Sequence, residues 1–289
     1  MSARTYGPHV ARWVGSKLRF AARVAEVMPR VITSYAEPCV GSGSVALHLI
    51  ETGRITPGAR VTVCDTGPMR DVWRCLGALG SCLLIDEIRE YDECRDVESA
   101  YRVAKMTVGP FANPGNPGVG VPAPERAAAL LVLNQLAFNG LWRVNRQGEF
   151  NVPRDPSKHL NTTAVIERIE RCARLVDRVD LRVVDDWRSP ELWSRNEVIY
   201  VDPPYCGTFS SYDAAGFDAD DHDTLATLAT DAALYREALV VVSNSDHELT
   251  RRLYPTETWR ISYLRRPNNV TCDGSTRAEK VSELLMVSR

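Results

Sequence analysis

Tyr35-Ala36-Glu37-Pro38-Cys39-Val40-Gly41-Ser42-Gly43-Ser44-Val45-Ala46 reads as a strand, a glycine turn and the start of a helix. Glycine accepts the backbone angles of so tight a turn and leaves room for a nucleoside to approach. Asp65 ends the next apolar run, 24 residues after Gly41. An acid there can hold both ribose hydroxyls of an adenosine-type cofactor. Gly41, Gly43 and Ala46 also satisfy the dinucleotide fingerprint, so this segment alone leaves a nicotinamide oxidoreductase open. Glu37 and Pro38 lean the other way. An acid beside a helix N-terminus repels a pyrophosphate, whereas it suits a cationic ligand. S-adenosylmethionine, with a sulfonium and an α-amino group, has that polarity.

The same alternation continues outward. Residues 34–40 are a short apolar run ending in glycines, 44–52 are helical, and 60–64 are a β-branched run closing on Asp65. Further on, 198–201 form a short apolar strand ending at Asp202, 220–234 have helical spacing, 239–243 read as a buried strand and 247–253 as a helix. Strands alternating with helices imply a mostly parallel sheet with helices on its faces. The middle differs. Residues 72–106, 125–138 and 162–176 read as helices. Between the first two, 109–124 (GPFANPGNPGVGVPAP) is too rich in glycine and proline for regular structure and predicts a flexible surface loop. The expectation is one α/β domain from residues 1–68 and 180–289, interrupted by a largely helical insertion over 69–179.

Asn196-Glu197-Val198-Ile199-Tyr200-Val201-Asp202-Pro203-Pro204-Tyr205 places an acid at the C-terminal end of a strand, where open α/β sheets bind ligands. Pro203 and Pro204 fix φ at successive positions and end the ladder. The product is a stiff corner with an acid before it and an aromatic ring after it. An exocyclic amine on a nucleobase is a poor nucleophile, because its lone pair is delocalised into the ring. The Asp202 carboxylate, helped by the Pro203 carbonyl, can accept its N–H groups and aim the lone pair at a methyl donor. Tyr205 can stack on the base. Cytosine N4 and adenine N6 both satisfy this chemistry.

Composition is that of an ordinary globular chain, 44% hydrophobic and 25% charged, with no window as long as a membrane span. The N-terminal segment has no apolar signal-peptide core, which predicts a cytoplasmic address. Eight cysteines form no C-x-x-C pair and show no zinc spacing, so reduced thiols and no metal are expected. The net charge of −2 excludes a protein coated in positive charge but not a local basic face. Residues 1–30 carry six Lys/Arg against one Glu, and 251–289 carry eight against four acids; 86–98 counter them with seven acids and two arginines.

Taken together, these motifs resemble the Dam-type DNA adenine methyltransferases over nearly the whole chain. Arg12-Trp13-Val14-Gly15-Ser16-Lys17 is similar to the family's N-terminal cofactor motif, and Glu37 to Gly43 to its glycine motif. Asp65 stands at its cofactor-acid position, Asp186-Trp187 resembles its Asp-Phe pair, and Asp202 to Tyr205 its catalytic motif. Cys39 stands where the family usually has Phe, and Thr66-Gly67 follow Asp65 where an apolar residue and Asn are usual. The resemblance implies a Rossmann-like sheet and S-adenosylmethionine held by Trp13, Lys17, Glu37, Pro38, Cys39, Gly41, Ser42, Gly43, Asp65, Thr66, Asp186, Trp187 and Asp202. It implies catalysis by Asp202, Pro203, Pro204 and Tyr205.

Its most specific stretch is Phe138-Asn139-Gly140-Leu141-Trp142-Arg143-Val144-Asn145-Arg146-Gln147-Gly148-Glu149-Phe150-Asn151-Val152-Pro153. Arg146-Gln147-Gly148 reads as a turn between short extended arms. Arg143, Asn145 and Arg146 supply donors of the kind that read guanine and adenine edges. Asn139 and Asn151 are also of a type that caps turns. In the family this stretch is a β-hairpin that enters DNA, which implies contacts from Asn139, Leu141, Arg143, Asn145 and Arg146. The family's last strand resembles 277–285, so Arg277 and Lys280 are implied near the DNA backbone. Double-stranded DNA is the expected partner, GATC the first site to test, a monomer the expected state, and a restriction endonuclease a functional companion. Beside the adenine enzyme stand a cytosine N4 methyltransferase and a non-catalytic DNA-binding protein of the same fold.

Overall fold

A computed structural model describes residues 7–109, 123–145, 147–206, 217–264 and 283–289. Its strands are β1 (Ile32–Glu37), β2 (Ile55–Cys64), β3 (Asp180–Val184), β4 (Val198–Val201), β5 (Leu239–Ser245), β6 (Trp259–Leu264) and β7 (Glu283–Ser288). They form one sheet in the order β3-β2-β1-β4-β5-β7-β6. The first five neighbours pair in parallel; β7 runs antiparallel to both β5 and β6. The expected Rossmann-like sheet is thus present, with one reversed strand near its edge.

Burial on both faces explains why the central strands read as unbroken apolar runs. In β4, Val198 and Tyr200 join one hydrophobic cluster, while Ile199 and Val201 join the other. β5 and β7 divide in the same way: Val241 and Leu285 to one side, Val242 and Met286 to the other. A period of two therefore sorts side chains between two cores rather than between core and water.

The helices are α1 (Ala21–Glu26), α2 (Ser44–Glu51), α3 (Met69–Arg74), α4 (Ala78–Glu90), α5 (Val97–Val108), α6 (Ala123–Leu136), α7 (Thr162–Val176), α8 (Pro190–Trp193), α9 (Ala219–Tyr235) and α10 (Glu248–Leu253). Between β2 and β3 every described regular element is helical. This segment shares its core with the sheet: Trp73, Leu84, Leu130 and Val165 lie in the same cluster as Tyr35, Leu47 and Tyr200. A buried two-pronged ion pair, Arg126 to Asp71 at 2.6 and 2.9 Å, ties α6 to α3.

Several bounds move from their sequence-based positions. The run 72–106 resolves into α3, α4 and α5 with a 3-10 turn at Tyr91–Glu93. β2 begins five residues earlier than expected, at Ile55. The predicted loop 109–124 falls largely outside the described residues, but its last two positions are already helical. Pro124 stands in the first turn of α6, where its missing N–H costs nothing. β6 was not anticipated: its burial is irregular along the strand, and β7 supplies its pairing.

Candidate active site

In this strand order the direction of winding reverses between β1 and β4. A crevice opens at such a switch, past the C-terminal strand ends. Glu37 ends β1 and Asp202 follows β4, so the two acids flank it. Asp65 and Asp186 follow β2 and β3 at the same edge of the sheet.

The acids are locked by different partners. Ser243 Oγ donates to Asp202 Oδ1 at 2.6 Å, and Lys17 Nζ donates to Oδ2 at 2.7 Å. Ser243 Oγ in turn accepts from Tyr200 OH at 2.8 Å. Lys17 is 3% exposed and also donates to Gly15 O at 2.9 Å. Burial pushes the Asp202 carboxyl above its usual range, while Lys17 and Ser243 pull it back. Glu37 is buried and accepts from Tyr35 OH at 2.8 Å. Its carboxyl is pushed up to about 8 by burial, with the Asp202 charge adding to the rise. At neutral pH this favours its protonated form, and a cationic ligand beside it would favour the ionised form. Asp65 accepts from Gly41 N at 3.1 Å and Gly67 N at 2.8 Å, and burial raises it to about 6.

The glycine turn packs against two residues distant from it in the chain, Trp73 and Trp13. Gly43 has φ +68, and a Cβ there would lie 2.1 Å from Trp73 Cζ2. Gly41 has φ +48, and its Cβ would meet Trp13 Cδ1 at 3.2 Å. Trp73 Nε1 donates to Gly41 O at 2.9 Å. The room left by these glycines is thus taken by two indoles, which brace the turn. Ser42 Oγ donates to Ser16 Oγ at 3.0 Å, joining the turn to the segment that delivers Lys17.

Pro203 is buried, and the chain leaving the corner is held by the end of β5. Asn244 Oδ1 accepts from Cys206 N at 3.0 Å, and Ser245 Oγ donates to Cys206 O at 2.7 Å. Tyr205 OH donates to Glu283 Oε2 at 3.0 Å, and Lys17 Nζ lies 4.8 Å from the Tyr205 ring centre. Pro38 is buried, Cys39 half-buried and Thr66 exposed. Asp186 is exposed and accepts from Arg188 N at 2.9 Å; Trp187 is buried under the Arg188 guanidinium.

The stretch 138–153 folds back on itself. Val144 and Phe150 form an antiparallel bridge, Asn145 N donates to Glu149 O at 2.9 Å, and Asn151 N to Arg143 O at 3.1 Å. Asn145 Oδ1 accepts from the N–H of Gln147 and of Glu149, each at 2.9 Å. Arg143 Nε donates to Asn151 Oδ1 at 2.8 Å. Asn139 (φ +55) and Leu141 are exposed. Asn134 couples this stretch to the N-terminal segment. Its side chain accepts from Arg12 N at 3.1 Å and donates to Arg12 O at 2.6 Å and Gly140 O at 2.9 Å. Trp13 and Trp142 also stack, with ring centres 6.4 Å apart. Arg146, Arg277 and Lys280 lie outside the described residues.

Ser243, Tyr200, Trp73, Asn134 and Glu283 are absent from the residues singled out in the sequence. Ser243 had a usable signal, a hydroxyl ending the strand beside Asp202. Trp73 had none, because a buried tryptophan on a helix ordinarily means packing.

Comparison with known proteins supplies the class of reaction. The type II methyltransferase M.MjaIII of Methanocaldococcus jannaschii is 28% identical over 305 residues, covering 96% of this chain and 97% of that one. A DNA adenine methylase of Vibrio cholerae is 28% identical over 288 residues, covering 95% and 93%. A DNA adenine methylase of Escherichia coli K12 is 30% identical over 168 residues, covering 56% and 58%. Residues 13–266 match one family across the glycine turn, the helical segment and the corner, and that match decides between the bases and against a non-catalytic role: the chain belongs to the D12 class N6 adenine-specific DNA methyltransferases.

Proposed function

We propose that the chain transfers a methyl group from S-adenosylmethionine to N6 of an adenine flipped out of double-stranded DNA, at the corner formed by Asp202, Pro203, Pro204 and Tyr205. The observation that carries this reading is Asp202 itself, a carboxylate at a strand end with one oxygen held by Ser243 and the other by Lys17. Neither oxygen can wander, so an amine arriving there meets an acceptor of set direction.

The acids suit the cofactor. Glu37, Asp65 and Asp202 stand at or just past the ends of β1, β2 and β4, against a ligand with two positive groups and a ribose diol. Trp13, Lys17, Glu37, the Gly41–Gly43 turn, Asp65 and the Asp186-Trp187 pair would hold it. When bound, S-adenosylmethionine supplies the methyl carbon, whose bond to sulfur breaks as its bond to N6 forms. Asp202 accepts an N–H of the amine, turns its lone pair toward the donor and is placed to take the proton that N6 sheds afterwards. Tyr205 stacks on the extracted base. The hairpin, with Asn139, Leu141, Arg143, Asn145 and Arg146, contacts the duplex; Arg277 and Lys280 contact its backbone. GATC is the first recognition site to test. A monomer completes the proposal, and a restriction endonuclease as companion draws support from the type II name of one relative.

The test incubates folded protein with methyl-labelled cofactor and duplexes of varied sequence, then resolves the nucleosides. Labelled N6-methyl-2′-deoxyadenosine, lost in Asp202→Ala, is the expected result. Label on cytosine, or full turnover by Asp202→Ala, overturns the reading.

A further inference from the structure

We propose that Glu283 is a positioning residue for the transfer, the second acceptor that takes the Lys17 ammonium when the target amine claims Asp202. This deepens the proposed role of the corner and rests on it. Glu283 opens β7, 4% exposed, opposite Ser245 of β5. Its Oε2 accepts from Tyr205 OH at 3.0 Å and stands 3.9 Å from Lys17 Nζ. The ammonium itself is bonded to Asp202 at 2.7 Å and to Gly15 O at 2.9 Å. A shift of roughly 1 Å would bring it within hydrogen-bond reach of Glu283.

The exchange answers a difficulty in the resting site. Asp202 has Ser243 on one oxygen and Lys17 on the other. An ammonium at 2.7 Å competes for the lone pairs that an adenine N–H must use. If Lys17 simply left, a buried cation would lose its counter-charge, which is strongly unfavourable. With Glu283 adjacent, the cation changes partner without becoming unpaired. The Glu283 charge also pushes the Asp202 carboxyl further up, so the two acids lie close enough to share the ammonium, which stands 2.7 Å from one and 3.9 Å from the other. Glu283 also anchors the Tyr205 hydroxyl, so the stacking ring and the released ammonium share one acceptor.

The experiment measures single-turnover methyl transfer on a duplex carrying the mapped site, with cofactor affinity and melting temperature alongside. Glu283→Gln keeps an acceptor for Tyr205 but removes the charge that receives Lys17. The expected result is a transfer rate reduced about 10- to 100-fold, with cofactor affinity within about twofold and melting temperature not lowered. Glu283→Asp, which keeps the charge one methylene further away, recovers part of that rate and serves also if the glutamine variant fails to fold. Wild-type transfer by Glu283→Gln, or equal losses in both variants, overturns the proposal, as does a loss confined to cofactor affinity. Asp202→Ala in the same assay separates the two levels: if it still methylates, the corner reading has failed, whatever Glu283 does.

Discussion

At the corner, Asp202 has both oxygens bonded and its Lys17 partner is 3% exposed; in the hairpin, Arg143 is exposed and its guanidinium bonds to Asn151 of the same hairpin. The corner draws its partners from the N-terminal segment, β5 and β7, far apart in sequence. The polar side chains Arg143 and Asn145 draw theirs from the same hairpin, Asn151 and Glu149. Long-range buried bonds are set by folding and exchange only where a second buried acceptor stands ready, as Glu283 does for Lys17, because a buried group left unpaired pays its full desolvation. Local exposed bonds compete with water at every moment and are worth about 1 kcal/mol or less. The corner is thus organised before substrate arrives, whereas the hairpin can trade its own bonds for a partner's. Changes at the first are expected to act on rate, and at the second on DNA affinity.

The largest expected effect is at Asp202. Asp202→Ala removes the proposed acceptor and should lower kcat by about 1000-fold or more, with DNA affinity within about threefold of wild type. Single-turnover rates and DNA titrations check the two halves. A variant that binds DNA poorly but turns over normally would reverse the contrast between the regions.

The glycine turn tests how tightly the cofactor edge is packed. Gly43→Ala combines φ +68 with a Cβ 2.1 Å from Trp73. It should destabilise the fold by about 2–4 kcal/mol, read by denaturant unfolding. Gly58→Ala is the control, because Gly58 has φ +78 and nothing within 4 Å of its Cβ. It should cost only the strain, about 1 kcal/mol. Equal losses would show that Trp73 does not brace the turn.

Much of this was legible in the sequence, for reasons that differ by element. The central strands and α2 are visible because a core on both sheet faces demands unbroken apolar residues. Asp202 and Tyr205 are visible because two consecutive prolines after an acid are an unusual local solution. Glu283 is not, since an acid beginning an apolar strand looks like an exposed edge until β5 and Lys17 are placed beside it. Trp73 and Asn134 are hidden for the same reason: their partners, Gly43 and Arg12, are distant in the chain. The roles of the glycines were half legible. The need for positive φ was, but the indoles that occupy the freed space were not.

A smaller effect follows from Glu37, whose surroundings are Tyr35, the Ala46 backbone N–H, Lys17 and Asp202. Its folded pKa, raised to about 8 chiefly by burial, lies above the ordinary 4.5. The folded state therefore binds the proton more tightly, a contribution present in full below pH 4.5 and lost as pH rises through 8. Glu37→Gln keeps an acceptor for Tyr35 OH and cannot ionise. Its melting temperature should match wild type near pH 5 and exceed it by about 5 °C at pH 8.5. A gap independent of pH would mean that Glu37 is ionised in the folded protein throughout.

The smallest effect sharpens the other side of the contrast. Arg143 donates through Nε to Asn151 Oδ1 at 2.8 Å, and the guanidinium has further N–H groups for DNA. Arg143→Ala should weaken DNA binding about 10-fold while moving the melting temperature by less than about 2 °C. Salt titration says what the side chain touches. If Arg143 meets a phosphate, the slope of log affinity against log salt falls by about 1, and Arg143→Lys retains most of the binding. If it reads a base edge with two parallel bonds, the slope hardly moves, Arg143→Lys fails like Arg143→Ala, and sequence preference relaxes at one position. In either case transfer at saturating DNA should stay within about threefold of wild type. A fall comparable to that of Asp202→Ala would place the hairpin in the chemistry itself and dissolve the division between an organised corner and an adaptable recognition arm.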